Sequence, residues 1–317
     1  MKEIRWFRAS VPTITREAEE SARARLLREI HTLPAPARRR LPRLSWRIAL
    51  AGVLSVVIGI GVVRSQVPQV TPVAGVQELS ERAAEAVEAR GGMKPSPGQW
   101  LYIRERQATP GELGGGFGVN IGERTTSEMW TSVNGEQVAW YPPGGELLVQ
   151  GTHPGISAAD LAEPPVTPQK LLDRIDKVTA ESMAEWFSGD GSPHEESREQ
   201  RLFQAIYQLM GEQALSPEVR AALFRALPLI EGVTVRPDAV DAEGRRGIAF
   251  SHTDDWARYE LILSPDDFRY LGTYGVTVAD RTMRYANVDP VFVPAGTPLV
   301  LSAQLETHLV DKAGQRP

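Results

Sequence analysis

Glu128-Met-Trp-Thr-Ser-Val133, Asn134-Gly135 and Glu136-Gln-Val-Ala-Trp-Tyr141 form the stretch on which the fold turns. Two runs rich in aromatic and β-branched residues flank an Asn-Gly pair. A type I′ turn needs positive φ at both central residues, which Asn and Gly tolerate best, so the stretch predicts a β-hairpin. A hairpin implies antiparallel sheet. Upstream, Trp100-Leu-Tyr-Ile-Arg104 predicts a strand after the turn Pro97-Gly98. Gly114-Gly-Gly-Phe-Gly118 has neither the G-x-G-x-x-G spacing nor the Lys-Ser/Thr ending that a phosphate-cradling loop requires, and reads as a flexible hairpin tip. Before it, Leu79, Ala83, Ala84 and Val87 line one face of a helix that stops at Gly91-Gly92.

Downstream the period changes. Thr167-Pro168 caps and opens a helix whose buried face is Leu171, Leu172, Ile175 and Val178. Arg201 to Met210 predicts a second, stopping at Gly211, and Ser216-Pro217 opens a third with Val219, Leu223 and Leu227 at helical spacing up to Pro228. After Pro228, five runs predict strands: Val233 to Arg236, Gly247 to His252, Tyr259 to Leu263, Tyr270 to Val278, and Leu299 to Val310. Polar turns such as Asp241-Ala-Glu-Gly244 join them. Strands, then helices, then strands predict an α+β domain over 76–317, one antiparallel sheet with helices packed on one face.

The N-terminal part is of another kind. Residues 1–47 hold 12 Lys and Arg against 5 Glu, a balance of +7, whereas the rest of the chain stands at −12. The boundary is Arg47-Ile-Ala-Leu-Ala-Gly-Val-Leu-Ser-Val-Val-Ile-Gly-Ile-Gly-Val-Val-Arg64, uncharged from 48 to 63. As an α-helix it covers roughly 24 Å, a little short of the ~30 Å hydrocarbon core. Snorkelling by Arg47 and Arg64 and an interfacial Trp46 close the gap. The reading is a basic tail over 1–46, one transmembrane helix over 47–64, a Pro-containing linker over 65–75 and the α+β domain beyond. Arg38, Arg39, Arg40, Arg43 and Arg47 before the run, against Arg64 behind it, place the tail in the cytoplasm and the domain outside the cell membrane. Thr15 to Ile30 predicts a tail helix with early Glu and late Arg. Beside a span, the arginines suit anionic lipid rather than nucleic acid.

The chemistry-bearing residues form no catalytic constellation. Cysteine is absent, which excludes disulfides, thiol catalysis and Cys-ligated metals. His31, His153, His194, His252 and His308 are scattered without H-x-x-x-H spacing. Asp190, His194 and Glu195 read as an exposed acidic loop, and Ser157 in Gly155-Ile-Ser-Ala-Ala lacks the second glycine of a nucleophile elbow. Asp254-Asp255 and Asp266-Asp267 sit where turns favour Asp. No catalytic, cofactor or metal residue is assigned, and the expectation is a protein that is not an enzyme.

Several stretches together resemble an uncharacterised actinobacterial family of single-pass membrane proteins, often encoded beside extracytoplasmic-function sigma factors. They are Ala22-Arg-Ala-Arg-Leu-Leu27, the arginines before the span, Pro97-Gly-Gln-Trp-Leu-Tyr102, Leu223-Phe-Arg-Ala-Leu-Pro-Leu-Ile-Glu-Gly-Val233, Gly244-Arg-Arg-Gly-Ile248 and the terminal Val310 to Pro317. The family brings no established catalytic residue. The resemblance implies an envelope sensor or regulator whose tail engages a sigma factor. The alternative is a tethered carrier or scaffold, broadly similar to periplasmic lipoprotein carriers and sigma-regulator sensor domains. In that reading a lipid lies in the outer domain, with Trp100, Trp130, Trp140, Trp186 and Trp256 as candidate cavity residues.

Overall fold

The computed structural model describes residues 75–111, 118–151, 156–186, 197–285 and 288–317. The expected tail, span and almost all of the linker lie outside these residues. No helix among the described residues is long and apolar enough to cross a membrane.

The chain from Gly75 onward builds the predicted α+β fold. Helix α1 (Val76–Arg90) buries Leu79, Ala83, Ala84 and Val87 and ends at Gly91, whose φ of 68° admits no side chain without strain. Strands β1 (Trp100–Pro110), β2 (Val119–Ser132), β3 (Gln137–Trp140) and β4 (Leu148–Gly151) form a first meander. The helices follow: α2 (Ala158–Ala162), α3 (Pro168–Trp186), α4 (Arg198–Glu212) and α5 (Pro217–Ala226), with a 3-10 turn over Leu227–Leu229. A second meander contains β5 (Thr234–Val240), β6 (Arg246–Thr253), β7 (Ala257–Leu263) and β8 (Tyr270–Thr277). A separate hairpin, β9 (Arg281–Tyr285) and β10 (Val288–Val293), precedes the last strand, β11 (Pro298–Val310).

All nine strands of the main sheet pair antiparallel, in the order β4-β3-β2-β1-β11-β8-β7-β6-β5. Strand β11 is the bridge between the meanders. The period-2 alternation of β6 and β7 sends Ile248, Phe250, Leu261 and Leu263 to one face. There they meet Leu171 and Ile175 of α3, Phe203 and Ile206 of α4 and Leu223 and Phe224 of α5. On the other face, Tyr102 and Trp130 pack with Val310, and the Trp130 indole donates to the Gln315 carbonyl at 2.6 Å.

Two sequence expectations need correction. The Asn134-Gly135 hairpin exists, with Met129 opposite Trp140 and Trp130 opposite Ala139, but its turn is not type I′. Asn134 keeps a negative φ. The turn closes from Gly135 N–H to Ser132 O at 2.8 Å, and Gly135 alone takes positive φ, at 74°. The Asn134 side chain is instead spent accepting from Glu136 N–H at 3.2 Å, and the Ser132 hydroxyl accepts from Gln137 N–H at 2.8 Å. Helix α4 also runs through Gly211 to Glu212 instead of stopping. Gly211 is there for a close approach: a Cβ on it would stand 3.1 Å from Cε1 of Tyr270.

The sheet is parted at one place. β8 and β11 pair only from Val276–Pro298 to Tyr274–Leu301, and toward Tyr270 they make no ladder pair. The β5–β6 turn fills the gap. Ala242 N–H donates to Ser302 O, and the Arg245 guanidinium bonds both Leu271 O and Gln304 O at 3.0 and 2.9 Å, replacing ladder bonds the strands do not make. Arg245 is held in turn by the fully buried Asp241 carboxylate at 2.6 Å, which also accepts from the N–H groups of Glu243 and Arg245. Gly272 is required in the seam, because a Cβ there would lie 2.1 Å from Ser302 O.

Candidate functional site

Where α1 ends and α5 begins, the helices stop short of β8 and β11. Gly92 and Pro217 touch across the gap, so closely that a Cβ on Gly92 would meet the proline ring at 3.0 Å. Between these helix ends and the sheet lies a cavity of about 560 Å³. Val87, Leu215, Phe224 and Phe268 give it apolar walls. Phe268 sits at φ 54°, in the left-handed region that costs a side-chain-bearing residue roughly 1–2 kcal/mol. The β7–β8 turn enforces this by a bond from Phe268 N–H to Ser264 O at 3.0 Å, and the Arg82 guanidinium lies 5.2 Å over the ring.

The charged lining is almost all of one sign. Arg90, Arg220, Arg245 and Arg269 face the cavity, with Glu306, which pairs with Arg104 at 2.7 Å. Arg245 belongs to Asp241. Arg90 and Arg269 share the single carboxylate of Asp267, at 3.4 and 3.9 Å. Arg220 has no carboxylate among the described residues. Its Nη1 donates to Met210 O at 3.1 Å and touches the Met210 sulfur at 3.6 Å, capping the end of α4. Burial, followed by the charge of Arg90, pulls its guanidinium down to about 10.

A second cavity, of about 200 Å³, lies on the same face between α4 and β1, β2, β8 and β11. Here the charges are Glu105 and Glu212. Desolvation raises Glu105 above the ordinary carboxylate range, and a hydrogen bond with Ser302 partly opposes it. Desolvation and the charge of Glu105 push Glu212 up to about 7, a shift moderated by solvent because Glu212 as a whole is exposed. The wall between the cavities is Tyr270, which lines both. Its hydroxyl hydrogen-bonds Thr273 Oγ1 at 2.7 Å, burial raises its phenol pKa, and its ring lies against Gly211. Beside it, Gln304 Nε2 donates to Gly211 O at 3.0 Å and ties sheet to helix.

None of the described candidate residues singled out from sequence is among those lining these two cavities; His252, Asp254 and Asp255 line another, of about 410 Å³, with Glu199 and Glu231. Trp100 and Trp130 belong to the opposite face, Trp256 packs with Met283 and Val293, and neither these nor Trp140 lines either cavity, while the side chain of Trp186 lies outside the described ones. Large aromatics pack where area is buried, and here that is the sheet itself. Ser157 is the N-cap of α2, in a capping box with Asp160. Asp254 accepts from the N–H groups of Trp256 and Ala257, and Asp255 pairs with Arg281 at 3.1 Å. His252 is a structural histidine: Nδ1 contacts the Gln200 amide, Nε2–H donates to Glu231 O at 3.1 Å, the ring stacks on Phe203, and burial lowers its pKa. His308 is exposed on β11, and Asp190, His194 and Glu195 lie outside the described residues, with His31 and His153. Among the described residues no three His, Asp or Glu side chains converge as metal ligands.

What sequence reading missed is Arg220. The available signal is its spacing of four from Phe224 on a helix that buries Val219, Ala221, Ala222, Leu223 and Phe224. An arginine on so apolar a helix either packs its stem or points into a hole. A scan against protein-family models and a search of curated proteins both return no match.

Proposed function

We propose that the region from Gly75 onward is a non-enzymatic ligand-binding domain, held outside the cell by the apolar run 48–63 as a single membrane span. The observation that carries this reading is the cavity of about 560 Å³ between the helix ends and the sheet seam. Its size is that of a small-molecule site, typically about 300–1,000 Å³. Its lining of guanidinium and hydrocarbon suits holding a molecule in place rather than moving protons or forming a covalent bond. A left-handed Phe268 in its wall is strain of the kind that accumulates at binding sites. Of the two roles expected from sequence, the tethered carrier or scaffold draws direct support from this geometry.

The test is native mass spectrometry of the full chain in lipid nanodiscs. The expected spectrum contains a population heavier than the bare chain by one small molecule, lost when Leu215→Trp fills the cavity. A bare chain in every preparation, at wild-type folding, counts against the reading.

A sensing role adds one element, the +7 tail before the span. In this reading, ligand outside changes what residues 1–46 hold inside, a sigma factor being the partner suggested by the family resemblance. Failure of immobilised 1–46 to retain a sigma factor would leave the carrier role alone. Reporter fusions near positions 46 and 75 test the topology beneath both readings.

A further inference from the structure

We propose that the molecule bound in the larger cavity is an amphiphile with one anionic head, seated on Arg220, its hydrocarbon lying along Val87, Leu215, Phe224 and Phe268. The inference rests on the cavity being a ligand site, and adds the chemical class of the ligand.

Arg220 is half-buried, its remaining N–H groups opening on the cavity. A guanidinium partly withdrawn from water into an apolar-walled cavity favours a counter-charge, and it does not shed its proton at physiological pH. Arg220 has one protein acceptor residue, Met210, engaged through Nη1, and its other N–H groups meet no acceptor among the described residues. The neighbouring cations do not relieve it. Arg90 and Arg269 already divide one carboxylate, Asp267, and Arg245 is committed to Asp241 and two carbonyls. The cavity therefore carries an excess of positive charge that no side chain cancels, beside an apolar wall that no side chain fills.

Each ligand class meets this lining differently. A cation is repelled by the excess of guanidinium over carboxylate in the lining. A neutral hydrocarbon satisfies the wall and leaves Arg220 as it was. A small hydrophilic anion satisfies Arg220 and leaves the wall wet. An anionic head on a short hydrocarbon tail satisfies both, and the planar fork of arginine suits a carboxylate or a phosphate monoester. One head is enough, because Arg220 alone is wholly without a carboxylate.

The experiment uses full-length protein in nanodiscs and four soluble probes with the same tail: octanoate, octyl phosphate, octanol and octylammonium. Binding is read by saturation-transfer NMR against the Arg220→Gln protein in identical discs, so that partition into lipid cancels. The expected result is saturable binding of octanoate or octyl phosphate, whichever head fits, with octanol at least about tenfold weaker and octylammonium not bound. Arg220→Gln, which keeps a donor for Met210 O, lowers affinity for the anion by about tenfold or more, and Arg220→Lys by less. Thermal unfolding of each unliganded variant checks that the fold is kept. Where Arg220→Gln does not fold, Arg269→Gln and the anion-to-octanol ratio on the wild type carry the same test. Octanol binding as well as the anions, or an unchanged anion affinity in Arg220→Gln, overturns the anionic head while leaving the cavity a ligand site. No saturable binding by any of the four, together with a bare chain in the mass spectrum, overturns both.

Discussion

The two cavities share a face, a helix neighbourhood and one wall, yet one is lined by arginines and the other by glutamates. Elsewhere the chain pairs its charges readily. Arg225 bonds both Glu81 and Glu88, Arg236 and Arg258 converge on the buried Glu260, and Arg316 joins Glu128. At the cavities pairing is incomplete: among the described residues Arg220 has no carboxylate, and Glu105 and Glu212 lie together, the charge of Glu105 adding to the desolvation that raises the Glu212 pKa. Tyr270 stands between the two sets as a neutral partition. Like charges gathered beside empty volume are destabilising, so what distinguishes these regions is a cost the fold carries for something other than stability.

The contrast between the two cavities depends most on the seam that brings Arg245 into the lining of the larger one. Asp241→Ala leaves a partly buried guanidinium unpaired and removes three hydrogen bonds, and should cost about 4 kcal/mol in urea unfolding. A loss under about 1 kcal/mol would mean that the carbonyls of Leu271 and Gln304 hold Arg245 unaided. Removing the partition comes next. Tyr270→Ala should cost about 3 kcal/mol and join the two cavities, bringing Glu212 within reach of the arginine set. Its side-chain carboxyl, followed by NMR, should then titrate below the wild-type value; an unmoved titration shows the two charge sets to be independent of the wall. Ser80→Ala removes the buried hydroxyl that donates to Phe224 O at 2.8 Å, linking α1 to α5 above the cationic cavity, and should cost about 1 kcal/mol by thermal unfolding.

The smallest effect is the most specific. Folded Glu212 holds its proton up to about pH 7, whereas its ordinary value is 4.5, so the folded state binds more protons across that interval. Stability from this group is present below pH 4.5 and is lost as pH rises toward 7. Glu212→Gln should match wild type at pH 4 and exceed it at pH 8. Equal stability at both ends would show that neither desolvation nor the charge of Glu105 holds the proton on Glu212.

How far the sequence foretold all this depended on whether the signal was local. The helix faces of α1, α3 and α5 and the strands β6, β7 and β11 were legible, because period and capping are properties of a few consecutive residues: Ser216-Pro217 announces α5 and is its cap. The β9–β10 hairpin was not. Arg281 to Val293 alternates weakly, and its packing depends on Trp256 and Ala257, which lie outside it in sequence. The Asn134 turn failed because an Asx side chain offered the backbone another bond. The candidate site was almost illegible. Arg220, Arg269, Gln304 and Tyr270 are brought together by the β8–β11 seam, and nothing local to Arg220 reveals that its counter-charge is missing.

Strand β11 occupies the middle of the sheet but is the last of the described strands in sequence order. While the protein is being made, residues up to 297 can form two meanders, each with an open edge and no strand to join them. The sheet closes only when Pro298–Val310 inserts, pairing along β1 and with Tyr274 to Val276 of β8. Neither cavity has its wall before that moment, since Gln304, Ser302 and Val300 are part of the lining. Both cavities are therefore completed in a single step, when Pro298–Val310 inserts, and a chain still lacking those residues presents open sheet edges.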